Sequence, residues 1–176
     1  MKLLLVRHPA PDVDAGICYG HLDVPLRSDT GPAIVAIAEY ACRHRVTTVW
    51  SSPAIRCLIP AQAAAASAQA RLRIDNRLEE LSFGRWEGLR WTDIGPSALD
   101  CWAADPSGFA PPGGESGDAL LSRVSNLLKA LIEDAVDCAV ISHGGPLKIL
   151  RALACGVTPD LLADPPPFGA MITVKC

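Results

Sequence analysis

Two histidines stand where apolar, strand-like runs end. Lys2-Leu3-Leu4-Leu5-Val6 leads straight into Arg7-His8, and Cys138-Ala139-Val140-Ile141 leads into Ser142-His143-Gly144-Gly145. A third short run, Val49-Trp50, ends in Ser51-Ser52-Pro53, with Arg56 one turn further on. An arginine closing a hydrophobic strand needs an anion, because its charge cannot stay unpaired there. Phosphate suits the planar guanidinium fork. Two imidazoles and two guanidiniums delivered by three strand ends therefore predict one pocket for a phosphate group. Taken alone, each histidine also reads as a buried structural group, and Arg56 as a surface charge.

The glycines after His143 let backbone approach a ligand closely before a helix begins. GxxxxGK[ST] is absent, so this is not a P-loop. Glu79-Glu80 precedes Leu81-Ser82-Phe83-Gly84-Arg85-Trp86-Glu87-Gly88. A partly desolvated carboxyl group near a phosphate ionises reluctantly, which suits a general acid for an alcohol leaving group. The same pair also reads as a solvated face. His8 and His143 lack companion ligands at metal spacing.

These groups need a scaffold that brings strand ends together. In an open α/β sheet, ligands bind outside the carboxyl ends of the strands. Strand-like and helix-like segments alternate here: strands at 2–7, 46–51, 72–74, 137–142 and 169–175, and helices at 32–43, from Ser52-Pro53 onward, at 117–135 and at 146–155. That alternation predicts a three-layer α/β/α fold with a mostly parallel central sheet. Ser52 reads as an N-cap and Pro53 as the first helical position. The helix over 117–135 carries Leu120, Leu121, Val124, Leu127, Leu128, Leu131 and Ile132 at helical period. Residues 92–117, with Pro96, Pro106, Pro111 and Pro112, read as irregular. The loop over 9–27 is long enough to suggest function.

The chain has 176 residues, 49% of them apolar, and a formal net charge of -3. These values fit a single domain over 1–176 with its own core. They exclude a global electrostatic pull toward nucleic acid or an anionic membrane, so anion binding must come from a local cluster. The seven cysteines include no CxxC pair and read as reduced thiols, several of them small buried hydrophobes. No stretch reads as a signal peptide or a membrane span, so a cytoplasmic protein is expected.

Four segments together resemble the histidine phosphatase superfamily, the phosphoglycerate-mutase-like group built on an Arg-His motif. They are LLLVRH, SSPAIRC, LEELSFGRWEG and VISHGG, in that order over residues 3 to 145. The resemblance implies that His8 is the nucleophile taking the phosphoryl group, and that Arg7, Arg56 and His143 bind and neutralise its oxygens. It implies that Glu80, four residues before Gly84, is the proton donor. No cofactor and no metal are implied, because fixed cations supply the charge. The sequence departs from the pattern at Pro9, usually glycine, which removes a backbone N–H. It departs again at Pro60, often threonine, which predicts a kinked helix.

GICYGHLDVPL (16–26), FGRWEGLRW (83–91) and PPGGES (111–116) are similar to the α-ribazole phosphatase subgroup. That similarity implies hydrolysis of α-ribazole 5′-phosphate in cobalamin assembly, with Tyr19, Gly20 and His21 lining the pocket mouth. Trp86, Trp91 and Trp102 offer aromatic faces for a base or pack in the core. Ser116 is expected to cap the following helix, with Glu115 placed for its dipole. The expected partner is a small-molecule phosphate ester, with no nucleic acid and no membrane; monomer and dimer both stay open. Alternatives are another small-molecule or phosphohistidine phosphatase of the group, a phosphoglycerate mutase, or an inactive phosphate-binding module. The chain ends at Cys176 without the tail such mutases carry over the site, which favours hydrolysis.

Overall fold

Strand side chains alternate between the two faces of a sheet, and the first strand shows how the core follows from that. In β1 (Lys2–Arg7), Leu3 and Leu5 turn to one face while Leu4 and Val6 turn to the other, all four fully buried. The computed structural model describes residues 1–176. The remaining strands are β2 (Thr48–Ser51), β3 (Arg71–Ile74), β4 (Cys138–Ser142) and β5 (Met171–Lys175). The helices are α1 (Gly31–Arg43), α2 (Ile55–Ala68), α3 (Pro96–Ala104), α4 (Gly117–Asp134) and α5 (Gly144–Ala154).

The five strands form one sheet in the order β3-β2-β4-β1-β5. All neighbours are parallel except β5, which runs antiparallel along β1. Leu3, Leu5, Trp50 and Val140 face Leu120, Val124, Leu127 and Leu131 of α4 and Leu147 and Leu150 of α5. Leu4, Val6, Val49, Ala139 and Ile141 face Ile37 and Ala41 of α1 and Cys57, Ala61, Ala64 and Ala65 of α2. The three-layer, mostly parallel architecture is the expected one. The alanines of α2 lack bulk, so α1 and α2 pack closely over that face. At 25 cal/mol per Å² of apolar surface, each fully buried leucine contributes about 2 kcal/mol before entropy is subtracted.

Several boundaries differ from expectation for physical reasons. Ser52-Pro53 does not start α2: the helix begins at Ile55 after Ala54, and no side chain caps it. Ser52 Oγ instead accepts the Ala54 N–H at 3.3 Å and faces His143. Residues 92–117 are not wholly irregular, since α3 starts at Pro96. A first-turn proline has no required N–H to lose, so Pro96 opens a helix rather than breaking one. Its Ala98, Leu99 and Trp102 cover a small third cluster of Cys18, Trp86 and Ile94. α5 begins at Gly144, two residues before Pro146, which therefore falls within its first turn. Pro60 is buried within α2, which continues through it to Ala68. Ile132, read as part of the apolar stripe, is half-exposed near the end of α4. Ser116 does cap α4, accepting the Ala119 N–H at 3.2 Å.

All seven cysteines are free; Cys18, Cys57 and Cys138 are buried, and Cys42, Cys101, Cys155 and Cys176 are exposed. No helix is long and apolar enough to cross a membrane.

Candidate active site

Because β1, β2 and β4 are parallel neighbours, their carboxyl ends lie side by side. Arg7 pairs with Ser142, and Ser51 pairs with Ile141. The residues that follow, His8, Ser52 and His143, therefore leave the same edge of the sheet together. The His8 and His143 rings meet edge to face, with centroids 5.1 Å apart. The strand-end reading of the sequence thus places its two imidazoles in one site.

His8 is 1% exposed. Its Nδ1 lies 2.7 Å from the Pro9 carbonyl oxygen. A carbonyl only accepts, so Nδ1 carries the proton and Nε2 keeps its lone pair. Burial, and secondarily the positive charges of Arg56 and Arg7, push the imidazole down to about 3 against the pull of the Pro9 hydrogen bond. His8 is therefore a neutral base at pH 7 with a fixed tautomer. The proline at position 9 contributes its carbonyl, which costs nothing that its missing N–H could have supplied.

His143 caps α5 and is likewise 1% exposed. Its Nε2 is 2.8 Å from Ser52 Oγ, with Cys57 Sγ 3.6 Å away. Ser52 Oγ also accepts the Ala54 N–H, so the hydroxyl that meets Nε2 is itself tied to the loop before α2. Burial first, then the charge of Arg56, hold this histidine neutral as well.

The two arginines are held without carboxylate partners. Arg56, in the first turn of α2 and 1% exposed, donates to the carbonyls of Leu22 and Gly20, both at 2.7 Å, while its Nε is buried and unpaired. It is not a surface charge. Arg7 donates to the Pro166 carbonyl at 2.5 Å and lies 4.0 Å from the centroid of the Phe168 ring. Its Nε is also buried and unpaired, and burial lowers its pKa. Neither guanidinium makes a salt bridge. Two desolvated cations with idle N–H donors are a site prepared for an oxyanion.

Glu80 faces them from the loop after β3. Its carboxylate accepts the N–H of Leu81 at 3.0 Å and of Gly145 at 3.1 and 3.2 Å. Its main chain is pinned as tightly: Arg123 donates to the carbonyls of Arg77, Glu79 and Glu80 at 2.9, 2.7 and 2.8 Å. Arg123 also grips Glu115 at 2.7 and 2.8 Å. Glu115, the residue before the α4 N-cap, thus serves an ion pair as well.

The pocket-mouth residues divide. Gly20 and His21 line a cavity of about 160 Å³ with Arg56, Glu80 and His143. Gly20, at φ +28°, could not be replaced easily, since a Cβ there would lie 2.5 Å from Glu87 Oε1. His21 donates from Nε2 to the Glu80 carbonyl at 2.8 Å. Tyr19 is not in that lining; its ring centroid is 5.3 Å from the Arg56 guanidinium, and its phenol, raised by burial, neighbours Arg7. Of the tryptophans, Trp86 is core and Trp91 stacks on Trp102, while Trp102 reaches a second cavity of about 160 Å³.

Sequence reasoning missed Ser52 as a partner of His143, Arg123 as the clasp on Glu80, and Phe168 over Arg7. Arg123 did leave a signal. It lies on the face of α4 that carries Leu120, Val124 and Leu127, and a cation on an apolar stripe demands a partner. No three His, Cys, Asp or Glu side chains cluster as a metal set would.

A model of the histidine phosphatase superfamily (branch 1) matches residues 3–174. A glucosyl-3-phosphoglycerate phosphatase of Mycolicibacterium vanbaalenii is 30% identical over 173 residues, covering 90% of this chain and 76% of that protein. A bifunctional protein of Mycobacterium tuberculosis is 32% identical over 160 residues. That match covers 87% of this chain but 44% of the relative, so the chain spans less than half of that longer protein. Among solved structures, the α-ribazole phosphatase of Shigella flexneri superposes with a TM-score of 0.89 over 99% of this chain and 90% of that one, at 22% identity.

Proposed function

The chain belongs to the histidine phosphatase superfamily, and from that premise we propose that it is a phosphatase that hydrolyses a phosphate monoester through a phosphohistidine on His8. The observation that carries this reading is the His8 Nδ1 bond to Pro9, which leaves Nε2 unprotonated near two guanidiniums that make no salt bridge and whose Nε atoms are buried without a partner. The Nε2 lone pair attacks phosphorus as the ester P–O bond breaks. Glu80 is placed to give a proton to the departing oxygen. Arg7, Arg56 and His143 hold the phosphoryl oxygens, where fixed donors cost no reorganisation as charge shifts. Phosphorylation makes the His8 ring cationic, which strengthens its Nδ1–H bond to Pro9. Glu80, now a carboxylate, then takes a proton from water as the water oxygen attacks phosphorus. The P–N bond breaks, phosphate leaves, and His8 regains its lone pair. Arg7 and Arg56 supply the positive charge, so the scheme needs no metal.

The substrate we favour is α-ribazole 5′-phosphate, supported by GICYGHLDVPL, FGRWEGLRW and PPGGES. Residues 1–176 would act as one cytoplasmic domain. The second reading is glucosyl-3-phosphoglycerate, which the 30% identity to the Mycolicibacterium enzyme favours. Phosphate release from both esters, from 3-phosphoglycerate and from phosphoserine, with EDTA present, tests these readings together. A dominant kcat/KM for α-ribazole 5′-phosphate supports the first. Dominance of glucosyl-3-phosphoglycerate replaces it, and activity lost to EDTA and restored by a divalent ion overturns the metal-free scheme.

A further inference from the structure

Glu80 is the one residue that lines both cavities of the site. On one side of it lies the polar cavity with Arg56 and His143. On the other, beyond Arg7, lies a chamber walled by Phe83, Trp102 and Leu161, with Lys148 among its lining. A proton donor for a leaving oxygen must sit at the junction of the phosphoryl group and the leaving group, and Glu80 holds that position between two unlike chambers.

The walls of the second chamber are pre-set. Phe83 meets Trp102 edge to face at 6.0 Å, and Trp91 stacks behind Trp102 at 6.0 Å with 19° between the planes. The aromatic faces are therefore braced from outside the cavity. Lys148 is held by the carbonyls of Leu161 and Ala163 and makes no salt bridge. An ammonium has three donors, so one N–H is left over. Burial also lowers its pKa, as expected for an amine facing apolar walls.

We propose that this second chamber is the leaving-group subsite, taking a flat aromatic body against Trp102 and Phe83 and a hydrogen-bond acceptor on that body from Lys148. The inference rests on the phosphatase reading of the same site and narrows its substrate class. Trp102 and Lys148 are then specificity residues that leave the reacting end untouched.

The test compares α-ribazole 5′-phosphate with ribose 5-phosphate, which keeps a sugar phosphate and lacks the base. In the wild type, kcat/KM should favour the base-bearing ester. Trp102→Ala and Lys148→Met should each lower that preference about tenfold or more, leaving ribose 5-phosphate within about twofold. Trp102→Phe, which keeps a ring, should restore most of the preference. Equal losses on both esters, or an unchanged ratio, would overturn the subsite while leaving the hydrolase intact. Wild-type enzyme that hydrolyses neither ester, nor any other in the panel, would instead overturn the phosphatase mechanism itself.

Discussion

The Gly145 N–H donates to both carboxylate oxygens of Glu80, at 3.1 and 3.2 Å, and only glycine permits that approach. A Cβ on residue 145 would run into Glu80 Oε1. The pair ties the first turn of α5 to the loop after β3, so the group assigned to proton transfer is aimed by the helix that begins at His143. Gly145→Ala should push the carboxylate aside and lower kcat about 100-fold, the scale of a 1 Å misplacement. The melting temperature should fall only slightly, because the clash is with a movable side chain. Full activity in Gly145→Ala would remove this contact from catalysis.

Burial of two neutral histidines makes stability depend on pH. His8 is pushed down to about 3, chiefly by burial, against an ordinary unfolded value near 6.5. Below that ordinary value the unfolded chain binds a proton that the folded chain refuses. Stability is therefore fully present above about pH 6.5 and is lost as the pH falls toward 3. His143 shifts in the same direction. Between pH 7 and 5 the wild type should lose about 2 kcal/mol more than His8→Asn. Urea unfolding at the two pH values measures this, and equal losses in both proteins would show that His8 titrates normally.

Arg123 should matter to both fold and rate. Its fork satisfies three carbonyls and Glu115 at once, so Arg123→Met should cost about 2–3 kcal/mol. It should also lower kcat more than it raises KM, because Glu80 loses its anchor. Lysine cannot reproduce the fork, so Arg123→Lys should recover little. Thermal melts and steady-state kinetics on the two variants decide this.

Phe168 is 45% exposed yet lies against Arg7 and packs on His8 with ring centroids 5.4 Å apart. The Gly169 N–H reaches the His8 carbonyl at 3.1 Å, so the segment before β5 braces the Arg7-His8 pair. A half-exposed cation–π contact contributes about 0.5–1 kcal/mol. Phe168→Ala should accordingly raise KM about two- to fivefold, leaving the melting temperature nearly unchanged. A loss confined to kcat would point to His8 rather than Arg7 as the partner that matters.

The strand ends were legible because period-2 burial and a parallel order are written in short apolar runs such as Leu3-Leu4-Leu5-Val6, and Arg7, His8, Ser142 and His143 follow those runs directly. Arg56 was legible from its spacing after Ser52-Pro53. What supports them was less so. Arg123 acts across a sequence separation of 43 residues to reach Glu80, and the Gly145 contact spans 65; no local pattern encodes either. α3 was hidden because Pro96 looked like a breaker when it is a first-turn residue. Ser52 read as a cap because its type suits one, but the tertiary partner His143 prevails.

The central claim is a covalent bond between His8 Nε2 and phosphorus. The most direct test mixes enzyme with excess substrate in a rapid-quench apparatus, stops the reaction in alkali, and weighs the intact protein. The account predicts one phosphoryl group per chain that survives alkali, disappears in acid and is absent from His8→Ala. A label stable in acid, or a His8→Ala enzyme that still turns over at a substantial rate, would contradict it.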